Sequence, residues 1–347
     1  MMISRKVLKI HKWWSSHFVV MMGAIYFVLA VGPTAPPVGS FLLNLSVFTL
    51  ASIGIASFGQ LLNDATDVRQ DVRSGAHNLV ATWGMARRAA VFLAVLVVGI
   101  VPWFWLPTTP LIAALVAVEF ALFIAYSVPP MRLKGRGLAG TVADALYGYV
   151  VPTTVAALLC AELAGGEPPA LFLSALVAWA LLFGLGGIID HQLLDESRDR
   201  HDGIRTLVVA WGWAPSFRFA LRLAAVAAFA AMVWLIVVES LSYPLIGAGF
   251  LAYVAWTYVT WRHRSLWHTA WIGSLPGVDR YHLAYTVILG DFMRLWHPLL
   301  TLAALIAHAP AFLPMGVIHL IVFPSGLSEV AKSLARERRR RLLAASV

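Results

Sequence analysis

The chain has 347 residues, of which 60% are hydrophobic and only 12% are charged, and its formal net charge is +9. Because an ordinary globular domain is about a quarter charged, this composition indicates an integral membrane protein and excludes intrinsic disorder, a disulfide-stapled secreted domain and a collagen-like fibre. Basic residues in a membrane protein first report orientation and contact with anionic lipid, so we expect the lipid bilayer, and not nucleic acid, as the partner of the positive charge.

Eight apolar runs are long enough to cross a membrane, since a helix needs roughly 20 apolar residues to span the hydrocarbon core. The predicted spans are 14–32, 39–62, 87–106, 110–128, 138–161, 169–190, 217–239 and 243–261. The first run follows a basic start but has no small-residue cleavage site. We therefore expect it to be an uncleaved span rather than a signal peptide.

A further apolar stretch, from about 282 to 324, is too long for one span and is interrupted by the His-Ala-Pro sequence at 308–310. We predict a ninth span near 283–307 and a shorter element near 311–324. That element could cross the membrane, re-enter it or lie along the interface, and we favour a return to the cytoplasmic side. The predicted organisation is one transmembrane domain over 1–310, followed by an apolar element and a basic tail over 311–347.

The basic residues of the loops predict the orientation, because cytoplasmic loops carry an excess of Lys and Arg. With the N-terminus in the cytoplasm, the inside segments are 63–86, 129–137, 191–216 and 262–281, and they hold nearly all loop Lys and Arg. The opposite loops contain neither residue, and they are 33–37, 107–109, 162–168 and 240–242. We predict a multi-pass protein of the inner or plasma membrane, with the N-terminus, the basic tail and the loops near the acidic motifs in the cytoplasm.

A first group of acidic residues follows the second predicted span, in the stretch 63–71. If that span continues as a helix, Asp64, Asp67 and Asp71 are spaced i, i+3 and i+7 and share one face. Three carboxylates on one face repel each other unless a cation lies among them.

A second acidic group follows the sixth predicted span, in the stretch 190–199, where Asp195 and Asp199 are four residues apart on one helical face. Both groups end even-numbered spans, so both face the same side of the membrane. Two carboxylate clusters facing each other predict a magnesium site, because Mg²⁺ favours oxygen ligands and commonly bridges carboxylates to substrate phosphates. The implied substrate is a diphosphate.

A proline-stiffened loop between the two groups offers a phenol, Tyr126, and three cations, Arg132, Lys134 and Arg136. Cations beside acidic clusters suit a phosphate with a metal on one flank and Lys or Arg on the other. Taken alone, each stretch is a solvated helix end or an ordinary positive-inside loop. Their convergence on one membrane face favours a site.

These stretches resemble the motifs of the UbiA-type intramembrane prenyltransferase superfamily. Its first motif, Asn-Asp-x-x-Asp-x-x-x-Asp, is matched in full by residues 63–71. Its second motif, an Asp-x-x-x-Asp pair followed by Gly, looks like residues 195–203. Its Tyr-Ser-x-Pro-Pro-x-Arg-Leu-Lys segment is similar to residues 126–134.

The resemblance implies an all-α bundle of about nine transmembrane helices, in two similar halves around a lipid-open cavity, with a tenth or re-entrant C-terminal element as a possible addition. It also implies Mg²⁺ as the cofactor and a prenyl diphosphate as the donor. The implied metal ligands are Asp64, Asp67, Asp71, Asp195 and Asp199, supported by Asn63. The implied diphosphate-binding residues are Tyr126, Arg132 and Lys134. The expected catalytic residues are Asp67, Asp195, Tyr126 and Lys134.

Two parts of the chain depart from the family pattern. Many relatives place a basic residue and a proline soon after the first motif, and here we assign that substrate-binding charge to Arg69 and Arg73. The Asp190-His191 pair before the second motif is unusual as well. Either His191 contacts the acceptor or metal, or the two residues form a hydrogen-bonded pair at a helix end.

Ionisable groups at membrane depth are costly, so each carries a functional hypothesis by default. Asp144 and Tyr147 lie three residues apart on the fifth span, where we expect them to line the cavity near the acceptor; a hydrogen bond between helices is the alternative. Glu119 is a further candidate. Asp291 and Arg294 are expected to pair with each other.

The leading hypothesis is Mg²⁺-dependent transfer of an isoprenoid group from a prenyl diphosphate to an acceptor, with release of diphosphate. A terpene cyclase of the same family is the alternative, because the same ionisation can be followed by intramolecular attack. An ion or solute transporter is a distant alternative, since the carboxylates lie at one membrane face and transporters bind their substrates near the midplane. No motif encodes the acceptor, the donor chain length or the oligomeric state.

Overall fold

The computed structural model describes residues 14–73, 75, 78–268 and 283–324. Over these residues the chain is helical nearly throughout, and the described part contains no strand beyond an isolated bridge between Gly137 and Thr206. The helices in chain order are α1 (Val19–Val31), α2 (Val38–Arg73), α3 (Met85–Ile100), α4 (Pro110–Ser127), α5 (Leu138–Ala145), α6 (Val151–Leu163), α7 (Ala170–His201), α8 (Leu207–Trp211), α9 (Trp213–Arg222), α10 (Phe229–Ser242), α11 (Pro244–His268), α12 (His297–His308) and α13 (Pro314–Val322).

Six helical stretches of the described chain are long and apolar enough to cross a membrane. They are Val38–Arg73, Met85–Phe104, Pro110–Ser127, Leu138–Leu163, Ala170–His201 and Trp213–Ser242. Three shorter apolar helices accompany them, at Val19–Val31, Pro244–Thr257 and Pro310–Val322. The predicted all-α, multi-pass membrane architecture is confirmed.

Four of the predicted spans contain a π-helical segment that no hydropathy pattern signals. These segments are Leu146–Val150 between α5 and α6, Leu223–Ala228 between α9 and α10, Leu283–Trp296 before α12, and Trp14–Phe18 before α1. A π-helical turn holds one more residue than an α-helical turn, so it changes which side chains of a helix face the interior. The first of these segments contributes Tyr147, Gly148 and Tyr149 to the wall of the central cavity.

The two longest helices project beyond any bilayer. α2 has 36 residues and α7 has 32, so at 1.5 Å per residue they are about 54 and 48 Å long, against a hydrocarbon core of about 30 Å. Both finish at the same end of the bundle, which we call the acidic end because it carries both acidic motifs. The second predicted span therefore continues as a helix past residue 62, which is the condition under which Asp64, Asp67 and Asp71 share one face.

α1 is the central helix of the bundle, because almost every residue from Val19 to Ala30 is buried. It packs against α6 and α12. Gly23 makes the second contact possible, since a Cβ atom at this position would lie 2.3 Å from Nδ1 of His297. The imidazole Nε2 of His297 lies 2.9 and 3.0 Å from the two carboxylate oxygens of Glu239, and this fully buried pair joins α12 to α10.

Two close approaches fix α2 against its neighbours. A Cβ atom on Gly54 would lie 2.2 Å from the backbone nitrogen of Gly99, so α2 and α3 touch through their backbones. A Cβ atom on Gly59 would lie 2.3 Å from the ring of Phe123 on α4. Small residues commonly allow such approaches between membrane helices, where packing is the main attraction.

The C-terminal element runs back along α1. Phe312, in the 3₁₀ turn before α13, lies 5.4 Å from Phe41 between ring centroids, at the start of α2. His319 Nδ1 is 3.2 Å from the Tyr26 hydroxyl, and Phe323 stacks near Phe18. α13 has nine residues, about 13 Å, so it does not cross a bilayer by itself. The C-terminal element therefore runs back towards the acidic end. The basic tail lies outside the described residues.

Candidate active site

A cavity of about 810 Å³ lies in the centre of the bundle. Its wall is built by side chains from α1, α2, α4, α5, α6 and α7, the π-helical turn after α5 and the segment before α12. At the acidic end it is lined by Asn63, Asp64, Asp67, Asp71 and Asp195. Farther in, aromatic and aliphatic residues dominate, among them Phe48, Ile55 and Phe123. The cavity is therefore ionic at one end and apolar at the other.

The first acidic motif lies on the last turns of α2. Asp64 and Asp67 are 7% and 9% exposed, so two carboxylates are largely removed from solvent. Asn78, which sequence reasoning had not assigned, holds the following loop against this helix. Its Nδ2 donates to the Asp71 carboxylate at 2.8 Å and to the backbone oxygen of Asp64 at 2.7 Å.

Asp67 is the centre of an ionic cluster. Nζ of Lys134 donates to both Asp67 carboxylate oxygens and to Oδ1 of Asn63, at 3.0 Å in the latter case. Nη2 of Arg132 donates to Asp67 at 2.9 Å and to Oε1 of Gln70 at 3.2 Å. Lys134 is 7% exposed, and burial lowers its pKa below the usual range while the Asp67 carboxylate opposes that shift. The two cations compensate a carboxylate that would otherwise be buried with its charge unpaired.

The loop that carries these cations is fastened to the other half of the site. The backbone N–H of Gly137 donates to the Arg205 oxygen at 3.0 Å, which joins the α4–α5 loop to the loop after α7. Gln192 on α7 accepts from the Leu207 N–H at 3.1 Å, and its Nε2 donates to Thr141 at 3.4 Å. Lys134 is thus held beside Asp67 on α2 by a loop that is itself joined to the segment after α7.

The second acidic motif lies on the last turns of α7. Asp195 lines the cavity, and Nδ1 of the exposed His191 is 3.6 Å from Oδ2 of Asp195. Asp199, one turn farther along the helix and beyond the predicted membrane span, does not line the cavity. Burial, with the neighbouring Asp195 carboxylate, raises the pKa of Asp199 to about 6, against a hydrogen bond from Thr206. The structure therefore brings four of the five predicted metal ligands into one cavity and leaves Asp199 just outside it.

The donor atoms fit a magnesium ion that is shared with a substrate. Among the described residues, no group of three His, Cys, Asp or Glu side chains is arranged to hold a metal ion by itself. Mg²⁺ is usually bound through one or two carboxylates, several waters and substrate phosphates rather than by an all-protein cage. Four cavity-lining carboxylates and the Asn63 amide oxygen suit that mode of binding.

Asp144 and Tyr147 line the cavity beside Tyr126. The Tyr147 hydroxyl donates to Oδ2 of Asp144, within one helix rather than between helices. The ring centroid of Tyr147 is 5.3 Å from that of Tyr126 and 4.4 Å from that of Phe123. These contacts form a polar ledge, Asp144, Tyr147 and Tyr126, between the acidic end and the apolar part of the cavity.

Arg69 and Arg73 lie apart from the cavity. Both are exposed, and Nε of Arg73 donates to the backbone oxygen of Arg69 at 3.2 Å. They follow Asp67 by two and six positions, and at 100° per residue these offsets direct them away from the Asp67 face. The cations that contact Asp67 are Arg132 and Lys134. Arg69 and Arg73, to which we assigned a substrate-binding charge from the sequence, do not contact it.

The expected pair of Asp291 and Arg294 is not formed, which corrects that prediction. No ion pair joins the two residues; Asp291 is exposed, whereas Arg294 lines the cavity with its Nε buried and without a partner among the described residues. They are three positions apart in the π-helical segment before α12, where α-helical spacing does not decide which side chains meet. Arg294 is a cavity residue that sequence reasoning had assigned elsewhere.

Comparison with known proteins agrees with this architecture. The model of the UbiA prenyltransferase family matches residues 18–265, more than two thirds of the chain. A lycopene elongase/hydratase from Haloferax volcanii is 33% identical over 138 residues. That segment covers 39% of this chain and 43% of the archaeal protein, so less than half of either is matched.

Solved structures of UbiA homologues share the fold. The structure of the Archaeoglobus fulgidus homologue bound to DMAPP and Mg²⁺ has a TM-score of 0.58, with 15% identity, and covers 87% of this chain and 98% of that one. The same homologue bound to GPP and Mg²⁺ has a TM-score of 0.57 over the same shares. A homologue from Aeropyrum pernix has a TM-score of 0.52 at 14% identity, covering 84% and 96%. At these identities the likeness concerns the fold.

Proposed function

Because the chain belongs to the UbiA prenyltransferase family, we propose that it transfers an isoprenoid group from a prenyl diphosphate to an acceptor, with Mg²⁺ as cofactor and diphosphate as the leaving product. The observation that carries the proposal is the two-ended cavity, with four carboxylates and Lys134 at one end and apolar side chains beyond. A prenyl diphosphate has the same two-ended chemistry. The relatives whose structures contain DMAPP or GPP with Mg²⁺ support this assignment.

The residues at the acidic end act on the leaving group. Breaking the allylic C–O bond leaves a carbocation and returns the bonding electrons to the diphosphate, so stabilising the anion lowers the barrier. Bound Mg²⁺ supplies positive charge for this purpose. The residues proposed to hold it are Asp64, Asp67, Asp71, Asp195 and Asp199. The residues proposed to bind the phosphate oxygens are Asn63, Tyr126, Arg132 and Lys134.

Lys134 and Arg132 change partners in this proposal. Without a donor both cations neutralise Asp67. With a donor bound, Mg²⁺ held by the carboxylates would supply positive charge beside Asp67, and Lys134 and Arg132 would then be available to donate to the phosphate oxygens. The buried charges stay paired in both states, which avoids the large cost of an isolated buried ion.

The apolar part of the cavity serves the isoprenoid chain. Phe48, Ile55 and Phe123 line it, so water is scarce where the carbocation forms. Ring faces directed at the cavity also stabilise a cation through their quadrupole. The acceptor attacks C1 with its π electrons or a lone pair and then loses a proton. Asp144 and Tyr147 line the cavity between the acidic end and the apolar part, so we assign them to the acceptor.

The acceptor is an open part of the proposal. The Haloferax relative is named a lycopene elongase/hydratase, and this name supports an alkene as the acceptor. The match to that relative covers 39% of this chain. A terpene cyclase remains the second candidate, since the same ionisation followed by attack from a double bond of the donor needs no acceptor. The chain is an integral multi-pass membrane protein; we propose that its acidic end and N-terminus face the cytoplasm.

The test is diphosphate release by the purified protein given Mg²⁺ and dimethylallyl or geranyl diphosphate, with and without a lipid extract as the source of acceptor. We expect release to need Mg²⁺ and to fall at least about 100-fold in Asp67→Asn and in Asp195→Asn, as for other groups that stabilise developing charge. Asp202→Asn removes a carboxylate at the same end of α7 but outside the cavity, and it should stay within about twofold of the wild type.

The products separate the remaining alternatives. Release that requires the lipid extract and yields a prenylated lipid supports transfer. Release without extract and a cyclised product supports the cyclase. Absence of both turnover and Mg²⁺-dependent donor binding would contradict the enzyme proposal and favour transport.

A further inference from the structure

Asp144 has one carboxylate oxygen that is held and one that is open to the cavity. The Tyr147 hydroxyl, three residues farther along the chain, donates to Oδ2. Oδ1 has no hydrogen-bond partner among the described residues, and it is not among the enclosed polar atoms of that part of the chain. Because the side chain lines the cavity, Oδ1 is accessible to whatever occupies it.

Side-chain contacts fix the depth of this pair in the cavity. The Tyr147 ring lies 4.4 Å from the Phe123 ring between centroids, and a Cβ atom on Gly59 would lie 2.3 Å from that same Phe123 ring. Gly59 precedes Asn63, the first residue of the acidic motif, by one turn of α2. Asp144 and Tyr147 therefore lie within about one helical turn of the site assigned to the diphosphate, on its apolar side. The reacting carbon C1 of a prenyl diphosphate bound there lies at this depth.

The proposed reaction needs a group that accepts a proton near C1. When a π bond of the acceptor attacks C1, the C1–O electrons leave with the diphosphate and the positive charge moves to the acceptor. A neighbouring C–H bond then breaks, its electron pair forms the new double bond, and the proton goes to a base. That base must lie within hydrogen-bond reach of the proton, directly or through one water molecule.

The other carboxyl groups that line the cavity are less suited to this step. Four of them are assigned to Mg²⁺, so the ion engages their lone pairs. Glu119 lies one turn deeper than Phe123 and is therefore farther from C1. Asp190 follows Gly184 by six residues, and a Cβ atom on Gly184 would lie 3.1 Å from Cα of Ala145. Asp190 is thus about 9 Å nearer the acidic end than that contact, closer to the phosphates than to the reacting carbon.

We propose that Asp144 is the general base of the reaction and that Tyr147 is its positioning residue. Oδ1 of Asp144 takes the proton that the acceptor cation loses, while the Tyr147 hydroxyl holds Oδ2. In a cyclisation, the proton lost from the cyclised donor goes to the same oxygen. The carboxyl group returns its proton to water after the products leave. The inference rests on the proposed function and adds to it the group that ends the reaction.

The test compares the products with the diphosphate released. The purified full-length chain in detergent receives Mg²⁺, geranyl diphosphate and the lipid extract. We measure the released diphosphate, the products that form by loss of a proton, and geraniol and linalool, which form when water captures the cation. The coupling ratio is the amount of proton-loss product per diphosphate. The dissociation constant of geranyl diphosphate with Mg²⁺ reports whether each variant keeps its donor site.

Four variants separate a base from a structural group. Asp144→Asn keeps the shape of the side chain and removes the base, whereas Asp144→Glu keeps a base. Tyr147→Phe removes the hydroxyl that holds Oδ2 and keeps the ring. Tyr243→Phe is the matched control, since it removes a tyrosine hydroxyl outside the cavity wall, which donates to the backbone oxygen of Ala30 at 2.7 Å.

We expect the coupling ratio to fall at least about tenfold in Asp144→Asn, with the two alcohols in place of the lost product, because a general base contributes about 10²–10⁴-fold. The dissociation constant should change by less than about threefold, because this carboxylate acts after the donor has bound. Asp144→Glu should recover part of the ratio. Tyr147→Phe should lower it by about two- to fivefold, as for the loss of one hydrogen bond. Tyr243→Phe should leave it unchanged.

The results that overturn the inference differ in what they say about the proposed function. If Asp144→Asn binds the donor and keeps the wild-type ratio, the proton goes to another group, such as the diphosphate, while the proposed function stands. If Asp144→Asn does not bind the donor, Tyr147→Phe decides, and an unchanged ratio there overturns the inference. A wild type that forms only the alcohols overturns it as well. If the wild type releases no diphosphate with Mg²⁺, the proposed function fails and the base with it.

Discussion

The ionic cluster around Asp67 shows how a charged site is kept stable inside a membrane protein. Lys134 is slightly more buried than Asp67, and the two side chains share a salt bridge that Arg132 and Asn63 complete. Removing one member of a buried pair leaves an uncompensated charge, which is more costly than losing the attraction alone. We therefore expect substitutions in this cluster to affect both donor binding and stability.

Lys134→Met is the most informative single change in the cluster. It removes a cation that we assign to the diphosphate, and it leaves Asp67 with Arg132 alone. We expect kcat/KM for diphosphate release to fall by about 100-fold or more. The measurement is steady-state diphosphate release across a range of donor concentrations.

Arg136→Met is the matched control for that experiment. Arg136 belongs to the same loop but is exposed, and its Nη2 donates to the backbone oxygen of Pro130 at 2.6 Å. Its loss should change kcat/KM by less than about threefold, as is usual for an exposed cation. Equal losses in both variants would contradict a specific role for Lys134.

At the residue scale, local spacing decided what the sequence could predict. Asp64, Asp67 and Asp71 could be placed on one face because their separation follows the helical repeat. The salt bridge between Asp67 and Lys134 could not be predicted, since it joins residues 67 positions apart. The position of Arg294 in the cavity wall likewise depends on neighbours from other helices.

At the element scale, apolar length predicted the helices well and their internal regularity poorly. The predicted span 110–128 compares with the observed helix Pro110–Ser127. The π-helical segments at Leu146–Val150 and Leu283–Trp296 were not foreseen, because hydropathy does not report which backbone hydrogen bonds a helix forms. The second of these segments explains why the expected pairing of Asp291 with Arg294 failed.

The contact between α2 and α3 gives a stability prediction. Gly54→Ala puts a methyl group where the Gly99 backbone lies, so the helices must separate. We expect a loss of about 1–3 kcal/mol, typical of overpacking, and a lower unfolding temperature in detergent. Gly39→Ala, on the same helix but with nothing within 4 Å, is the control and should not lower the unfolding temperature. Matching decreases in both would show that the close approach is not what limits stability.

At the scale of the whole molecule, charge is distributed to one side of an apolar bundle. The loops at the acidic end carry nearly all loop Lys and Arg, and the loops at the other end carry none. This asymmetry predicts that the acidic end faces the cytoplasm. The sequence could predict sidedness because it depends on composition, whereas the shape of the cavity depends on how the helices pack.

Orientation can be measured with single cysteines, since the only natural one, Cys160, is buried and can be replaced by Cys160→Ala. Arg136→Cys reports the acidic end and Glu167→Cys the opposite end, and both positions are exposed. In intact cells a membrane-impermeant maleimide should label the second variant only, and in inverted vesicles the first only. The reverse pattern would contradict the proposed orientation.

The proposed function requires that this cavity binds a prenyl diphosphate with its charged group among the aspartates. The most direct measurement is an experimental structure of the chain with Mg²⁺ and a non-hydrolysable thiolo analogue of geranyl diphosphate. We expect the diphosphate between the ends of α2 and α7, with Lys134 turned from Asp67 onto a phosphate oxygen and the hydrocarbon chain directed towards Glu119. A diphosphate bound elsewhere, or an Asp67 and Lys134 salt bridge unchanged beside an empty cavity, would contradict it.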